Sequence, residues 1–595
     1  MSDIEERAEQ KGMTRRAFLG HAAVGAAAVT VGSSIVGAPS ALAASAQSTS
    51  VPKKWHKTYD VVVIGTGVGL AAAIEAKRAG ASVVILEAAD HIGGLYITAG
   101  GSFSMGGNNV VQQAAGVVDN DEQWFQDEMY CTGYRAQPEL VRTLVKHGAE
   151  TVKWFQDLGI KYAPIANGVL YGRTPIMRGI TALQDPAYPG GQGTPNTGIS
   201  FTMVMYNEVK RLKIPVLMNT RMTKIFRGSD GVVPGVQARD KKGKVLNIRG
   251  KRGVVICAGT WTDNDQMMQQ WDPRLVGPDC YGDGGTPFDG TLFTDSAGDG
   301  IRFAQDIGAA VSDMSFAAYL YIFYGGRSYW GWAPGPDGKI DWTSNATYAA
   351  GKAIPQSAAT FQNTILVANN GKRYVNESTR FDPVPGGRGA YSENPEMPYT
   401  DAYLSLPQPR NVWMIADSAT VAALSWPIGE PTDSEPSTIT HPDPLRGKMF
   451  DPACIAIADS IEELAAKTGV DAANLQETID RYNGFVDAGV DDDFGKPNPR
   501  GKIETAPFYG LKASLIRHTQ RNGLRCNTKM QVIEDKVGYK AVSSIDKLKT
   551  IPNLYVAGES GNIFGWKRTH NTLAHYITAA IIAGRNCAKR TPPVK

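Results

Sequence analysis

Tyr59-Asp60-Val61-Val62-Val63-Ile64-Gly65-Thr66-Gly67-Val68-Gly69-Leu70-Ala71-Ala72-Ala73-Ile74-Glu75-Ala76 is the stretch on which the fold turns. Val61–Ile64 is an apolar, β-branched run, the mark of a strand covered on both faces in a parallel sheet. The glycines that follow make a tight turn, and the Ala-rich stretch after them reads as a helix. Gly80-Ala81-Ser82-Val83-Val84-Ile85-Leu86-Glu87 is a second strand, ending in a carboxylate. Strand, glycine turn, helix and strand in this order predict a βαβ unit. Glycines at such a turn let backbone N–H groups approach a pyrophosphate at the helix N-terminus. Glu87 at the strand end is placed to accept from a ribose hydroxyl. The spacing departs from the usual G-x-G-x-x-G: the third glycine, Gly69, comes one residue early and Leu70 takes its slot.

The rest of the chain fits a globular protein built around that unit. It has 595 residues, 42% hydrophobic and 20% charged, with a net charge of +3. At roughly 150 residues per domain, this length suggests two to four domains. The composition excludes a collagen, a disordered chain and a polytopic membrane protein. The near-neutral charge gives no sign of a nucleic-acid partner. Glycine, at 65 residues, exceeds the usual ~7% and fits many close backbone approaches to a ligand. Cys131, Cys257, Cys280, Cys454, Cys526 and Cys587 are isolated. Six cysteines in so long a chain are too few for a disulfide scaffold, and without a C-x-x-C or C-x-x-C-H neither a zinc ribbon nor a c-type haem is encoded; no metal ligand is assigned.

At the N-terminus, Thr14-Arg15-Arg16-Ala17-Phe18-Leu19-Gly20 opens a weakly apolar run to about Ala38, and Ala41-Leu42-Ala43 has the form of a signal-peptidase site. A paired arginine before a mild apolar run resembles a twin-arginine export signal. The alternative is a single membrane helix, but the run is short and rich in Gly, Ala, Ser and Thr. The expectation is a signal over 1–43 for the twin-arginine translocase, a linker over 44–57, and a periplasmic or otherwise exported mature protein. That route carries proteins already folded around a cofactor.

Beyond the second strand, Glu87-Ala88-Ala89-Asp90-His91-Ile92-Gly93-Gly94-Leu95-Tyr96-Ile97-Thr98-Ala99-Gly100-Gly101 resembles the E-x(5)-G-G-x(5)-G-G stretch of flavoproteins. On these residues the chain resembles the fumarate reductase / 3-ketosteroid dehydrogenase superfamily. Further stretches carry the likeness in order. Gly253–Asn264 is similar to the strand and A-T-G-G-F-x-x-N element that returns to the cofactor. Ala297–Ile301 is similar to T-G-D-G-I, and Gly371–Glu377 to the G-x-R-F-x-N-E of a substrate cap. Asn553–Glu559 is similar to the L-Y-A-A-G-E strand, and a final helix over Thr572–Arg590 would aim its N-terminus at the flavin.

The resemblance implies FAD as the cofactor. It implies an α/β protein with a Rossmann-like FAD-binding domain over 58–316 and 519–595, and an inserted α+β substrate-capping domain over 317–518. The active site would lie at their junction. The FAD-binding residues it implies are Gly65, Gly67, Val68 and Gly69 in the first turn, and Glu87, Ala88, Gly93, Gly94, Gly100 and Gly101 after the second strand. Ala258, Gly259 and Asn264, Gly558 and Glu559, and Thr572 and Leu573 complete the set.

The substrate side is mixed. The His-Pro-Thr that fumarate reductases carry at the start of the cap is missing from Asp313–Tyr321. An aromatic run follows instead: Tyr319, Tyr321, Phe323, Tyr324, Tyr329, Trp330 and Trp332. It would stack on a bulky substrate, or form the cap's own core. By resemblance, Arg380 stands near the proton-donating arginine of the reductases, one residue closer to Asn376-Glu377; a surface arginine paired with Asp382 is the alternative. His518 matches a second substrate histidine, or is an interface residue. Arg568 matches an arginine that grips a carboxylate in bidentate fashion, or binds phosphate or backbone. By the same resemblance, His570 and His575 lie close to the flavin, where either could act as a local proton donor.

The expected activity is an exported FAD-dependent oxidoreductase that reduces, or introduces, a C=C bond conjugated to a carbonyl or carboxylate. Its small-molecule substrate would be larger than fumarate. Arg380 or a cap tyrosine such as Tyr324 would supply the proton, and Arg568 or His518 would hold the polar end. A fumarate- or urocanate-type reductase, an O2-using oxidase and a non-enzymatic electron carrier are the alternatives. With no haem or iron–sulfur motif in the chain, electrons are expected to pass to or from an external quinone, cytochrome or mediator.

Overall fold

In the computed structural model, residues 49–98, 102–132, 134, 136–165, 174, 176–183, 198–282, 296–315, 319–323, 330–332, 348–350, 358–380, 398–426, 428, 455–517, 522–535, 542–562 and 573–590 are described. The expected signal over 1–43 and residues 44–48 of the linker lie outside them. Residues 50–595 form one compact unit.

The opening βαβ forms as expected. Strand β1 (Lys57–Ile64) runs into a glycine turn, helix α1 (Gly69–Arg78) and strand β2 (Val83–Leu86). β1 pairs in parallel with β2, Ile64 opposite Leu86. Val61–Ile64, all of β2 and Gly69–Ala76 of α1 are buried. Two-sided burial is why these strands read as continuous apolar runs rather than alternating ones.

The next segment lays a small layer beside this unit. Strand β3 (Ser102–Ser104) precedes helix α2 (Asp121–Cys131) and the amphipathic helix α3 (Pro138–Asp157). Strand β4 (Gly179–Thr181) then pairs with β3, antiparallel. Helix α4 (Gly198–Arg211) leads to the strands β5 (Val216–Leu217), β6 (Thr220–Phe226), β7 (Gly235–Asp240) and β8 (Val245–Ile256). β6, β7 and β8 form an antiparallel meander, and β8 turns back to lie parallel to β1.

A second, six-stranded sheet is built around one long strand. β9 (Cys280–Gly282), β10 (Tyr319–Phe323), β11 (Ile365–Val367), β12 (Trp413–Asp417) and β13 (Ile455–Ala458) precede helix α5 (Ala472–Ala488) and the long strand β14 (Phe508–Arg517). β10, β12 and β13 pair with β14 antiparallel, β9 pairs with it parallel, and β11 extends the sheet from β12. This sheet draws strands from both sides of residue 316.

The chain then returns to the first sheet through β15 (Gln531–Ile533) and β16 (Thr550–Val556), and ends in helix α6 (Leu573–Lys589). The eight-stranded sheet has the order β15-β16-β8-β1-β2-β5, with β7 and β6 branching from β8. α6 lies on α1, with Gly584 against the carbonyl of Ala72 so closely that a Cβ there would overlap that oxygen. Where the chain crosses between sheets, Val311–Ser312 and Gly523–Arg525 pair antiparallel. Beside them the buried Asn522 donates to the Asp313 carbonyl at 3.1 Å and accepts from Trp261 Nε1 at 3.1 Å.

Candidate FAD-binding site

Four parallel strands end on one edge of the eight-stranded sheet: Ile64 is level with Leu86 and Ile256, and Ile256 with Val556. The residues that follow therefore line one crevice, outside the carboxyl ends of the strands, where open α/β sheets take ligands. In this way the topology brings together four segments, 65–69, 87–94, 257–259 and 557–559.

The first turn is fixed by backbone contacts. Gly65 has φ +96°, its N–H donates to the Leu86 carbonyl at 2.8 Å, and a Cβ on it would overlap the Cys257 carbonyl oxygen. Only glycine meets both demands. α1 then starts at Val68 with no side-chain cap and no acidic residue in its first turn, so its positive end is left for an anion. The early third glycine has a reason as well. A Cβ on Gly69 would come 3.0 Å from Val63 Cγ1 and 3.3 Å from Cys257 Cβ. Gly69 thus does the packing work of the usual third glycine, drawing α1 onto β1 and β8. Leu70, in the usual slot, is fully buried.

Glu87 is buried at the end of β2. Its Oε2 accepts from Thr66 N–H at 2.9 Å and from the Thr66 hydroxyl, and its Oε1 from Ala89 N–H at 2.9 Å. A carboxylate has about four acceptor positions, so capacity remains for a ribose hydroxyl. Thr66 Oγ1 in turn accepts from Gly93 N–H at 2.9 Å. Ala88 is exposed beside this network. Gly94, at φ +49°, and Gly259, at φ +77°, have no atom within 4 Å of where a Cβ would stand. Both leave free space against bare backbone.

The remaining segments close the crevice. Gly558, at φ +70°, would place a Cβ 2.8 Å from Val68 Cγ2, and Ser560 Oγ donates to the Gly259 carbonyl at 2.7 Å. Glu559 lies between them, in the short turn Gly558–Ser560. Asn264 is spent on structure: its Oδ1 caps the helix Asp265–Trp271 through Met267 N–H at 2.9 Å, and its Nδ2 donates to the Ala297 carbonyl at 2.8 Å. Burial pushes the Cys257 thiol up to about 12, so it is no thiolate nucleophile beside the turn. Leu573 opens α6, but His575, one turn in, is fully buried and faces α2. Its Nε2 lies 3.7 Å from Glu128 Oε1 and its ring 5.8 Å from that of Trp124. The uncapped helix end, the spare acceptor capacity of Glu87 and the open glycine backbone fit a flavin dinucleotide.

Of the substrate-side expectations, Tyr324, His518, Arg568 and His570 lie outside the described residues, as do Gly100, Gly101 and Thr572. Arg380 closes the 3-10 turn Glu377–Arg380; its side chain is also outside what is described. The support of that turn is clear. Arg373 grips Glu377 through two donors, at 2.9 and 2.8 Å, and reaches Asp491 at 2.7 Å. Lys496 Nζ lies 3.4 Å from Glu377 Oε2, donates to Tyr482 Oη at 3.2 Å and also donates to the Thr364 carbonyl. All four charged side chains are buried. Burial pulls the Lys496 ammonium down to about 8, with Glu377 opposing. Burial would raise the Glu377 carboxyl, but Lys496 and Arg373 outweigh it and hold it below the usual carboxylate range. Sequence reading found Arg373 and Glu377 through their motif but missed Thr66, Asp491 and Lys496. Thr66 stood within the quoted turn as an unremarked hydroxyl; the other two gave no local signal.

Among the described residues, no group of His, Cys, Asp and Glu could hold a metal ion, and no helix is long and apolar enough to cross a membrane. The profile described as "FAD binding domain" matches residues 60–323 and 337–570. The fumarate reductase (cytochrome) of Shewanella frigidimarina is 25% identical over 538 residues, 90% of this chain and 78% of that protein. The vinyl phenol reductase of Lactiplantibacillus plantarum is 25% identical over 549 residues, 90% of this chain and 97% of that protein. Among solved structures, the 3-ketosteroid Δ1-dehydrogenase of Sterolibacterium denitrificans has the same fold, with a TM-score of 0.62 at 19% identity over 89% of this chain and 99% of that one. A profile match over more than half the chain, on a crevice whose residues fit the cofactor, makes this protein a member of the FAD binding domain family and an FAD-dependent oxidoreductase of the fumarate reductase / 3-ketosteroid dehydrogenase superfamily.

Proposed function

We propose that the enzyme reduces, or introduces, a C=C bond conjugated to a carbonyl or carboxylate in a substrate bulkier than fumarate. The observation that carries this is the aromatic run from Tyr319 to Trp332 in a chain lacking the His-Pro-Thr of the fumarate reductases. The relatives' names support the bond class, since fumarate and a vinyl phenol are both alkenes. Near-complete overlap with the vinyl phenol reductase supports the aromatic substrate.

FAD, when bound, supplies the hydride exchange; the protein supplies place and charge. The chain's residues then have distinct tasks. The cap aromatics hold the apolar body of the substrate and exclude water. Arg568 or His518 holds its polar end, Arg568 by bidentate hydrogen bonds to a carboxylate or by one to a carbonyl. Arg380 or Tyr324 gives or takes the proton at the neighbouring carbon, with His570 as a further proton group. The buried Arg373–Glu377–Asp491–Lys496 cluster keeps Arg380's turn in place.

The electron partner in this reading is an external quinone, cytochrome or soluble mediator. Arg15-Arg16 and Ala41-Leu42-Ala43 support a twin-arginine signal over 1–43, hence work outside the cytoplasm. The deciding experiment is anaerobic. The dithionite-reduced enzyme is mixed with fumarate, urocanate, cinnamates, vinyl phenols, cyclic enones or 3-ketosteroids, and reoxidation is followed by absorbance. Fast reoxidation by aryl alkenes or bulky enones, with fumarate inert, is the expected result. Fast reoxidation by fumarate overturns the reading and makes Arg568 and Arg380 a dicarboxylate clamp. Reoxidation by air alone points to an oxidase.

A further inference from the structure

We propose that the Thr66 hydroxyl is a positioning group for FAD: it locks two cofactor-facing segments, 65–69 and 87–94, into binding shape through one relay, from Gly93 N–H to Thr66 Oγ and from Thr66 O–H to Glu87 Oε2. The segments come from separate parts of the chain. Thr66 lies in the glycine turn, Glu87 ends β2, and Gly93 opens the double glycine that follows. Gly93 N–H donates to Oγ1 at 2.9 Å, the hydroxyl donates to Glu87 Oε2, and Thr66's own N–H meets the same oxygen at 2.9 Å. All three residues are buried.

A hydroxyl suits this place for a chemical reason. It can donate once and accept at the same time, so it can stand between an acceptor-only carboxylate and a donor-only amide. Neither neighbour could satisfy the other without moving. Removing the hydroxyl leaves the Gly93 amide as a buried donor without its partner, which is costly. It also takes from Glu87 one of the three hydrogen bonds that aim its carboxylate. Two consequences follow. The Gly93 amide is already spent, so the phosphate donors of this loop must be others, with the uncapped start of α1 the nearest set. And threonine's branched Cβ restricts its rotamers, so the relay is built before the cofactor arrives.

The test compares Thr66→Val, which keeps the shape and loses the relay, with Thr66→Ser, which keeps the relay. FAD release from the holoenzyme is followed by the rise of flavin fluorescence on dilution. Affinity is measured by titrating FAD into stripped protein whose far-ultraviolet circular dichroism matches that of the wild type. Thr66→Val is expected to weaken FAD binding about tenfold or more, in keeping with loss of a buried hydrogen bond to a charged partner. Thr66→Ser is expected to stay within about threefold of the wild type, because serine restores both bonds. Wild-type affinity in Thr66→Val overturns the proposal; so does a serine variant as weak as the valine one, since shape and not the hydroxyl would then matter. Should Thr66→Val fail to fold, hydrogen exchange on FAD-stripped wild type decides. The peptide containing Gly93 is expected to be protected before any cofactor is added, and free exchange there overturns the relay.

Discussion

Gly65 and Gly94 both adopt positive φ, yet a side chain would meet different things at the two. At Gly65 it would strike the Cys257 carbonyl; at Gly94 it would meet open space. Gly65→Ala is therefore expected to yield protein with almost no bound flavin. Gly94→Ala meets no protein atom and adds about 1 kcal/mol of backbone strain; its methyl would enter only the space assigned to the cofactor, so it should fold normally and keep more FAD than Gly65→Ala. The flavin-to-protein absorbance ratio of the purified variants ranks them, and the reverse ranking would refute this account of the turn. At this scale the sequence was most readable where chemistry depends on backbone. Gly65, Gly67 and Glu87 announce themselves through position alone. Gly69 did not, because its reason is the distance to Val63 and Cys257, which only the packed helix defines. Thr66 did not either, because a hydroxyl in a glycine turn has no meaning until Glu87 and Gly93 stand beside it.

Elements settle against each other through a few close contacts. The α1–α6 crossing depends on Gly584 at the Ala72 carbonyl. Gly584→Val must push the helices apart, and a cost of about 1–3 kcal/mol is expected from overpacking, read as a lower Tm by calorimetry; an unchanged Tm would mean that the crossing is loose. The turn that carries Arg380 depends instead on buried charge. Glu377→Gln leaves Arg373 and Lys496 short of their shared partner, and a loss of about 3–5 kcal/mol is expected. Lys496 adds a pH signature. Its pKa is about 8 when folded against 10.5 for an ordinary lysine, so the unfolded chain holds the proton more tightly. This contribution is constant below about 8 and turns in favour of the folded state as pH rises toward 10.5. The Tm of the wild type relative to Lys496→Met should therefore shift upward across that range; a flat difference would show that the ammonium is not strained. Arg373 and Glu377 could be read from their motif. Asp491, 118 residues from Arg373, could not, because nothing in its neighbourhood distinguishes it from a surface aspartate.

Across the whole molecule, the FAD crevice is assembled from segments that span residues 65 to 559, so cofactor and fold should be coupled. A ligand that binds only the folded state adds RT ln(1 + [L]/Kd), about 4 kcal/mol at a thousandfold excess over Kd. Stripping FAD is thus expected to lower the Tm by several degrees, and re-adding it to restore the loss. A Tm indifferent to FAD would mean that the crevice forms no part of the cooperative unit. The sequence by itself determined the βαβ unit, the return strand at Gly253–Ile256, the terminal helix and the flavin family, because each rests on local period, glycine position or a contiguous motif. Only the tertiary structure decided that four strand ends share one edge, that β9 joins a sheet centred on β14, that Asn264 caps a helix, and that His575 faces α2. Each of those depends on contacts between residues far apart in the chain, and such contacts leave no periodic trace in the segments that make them.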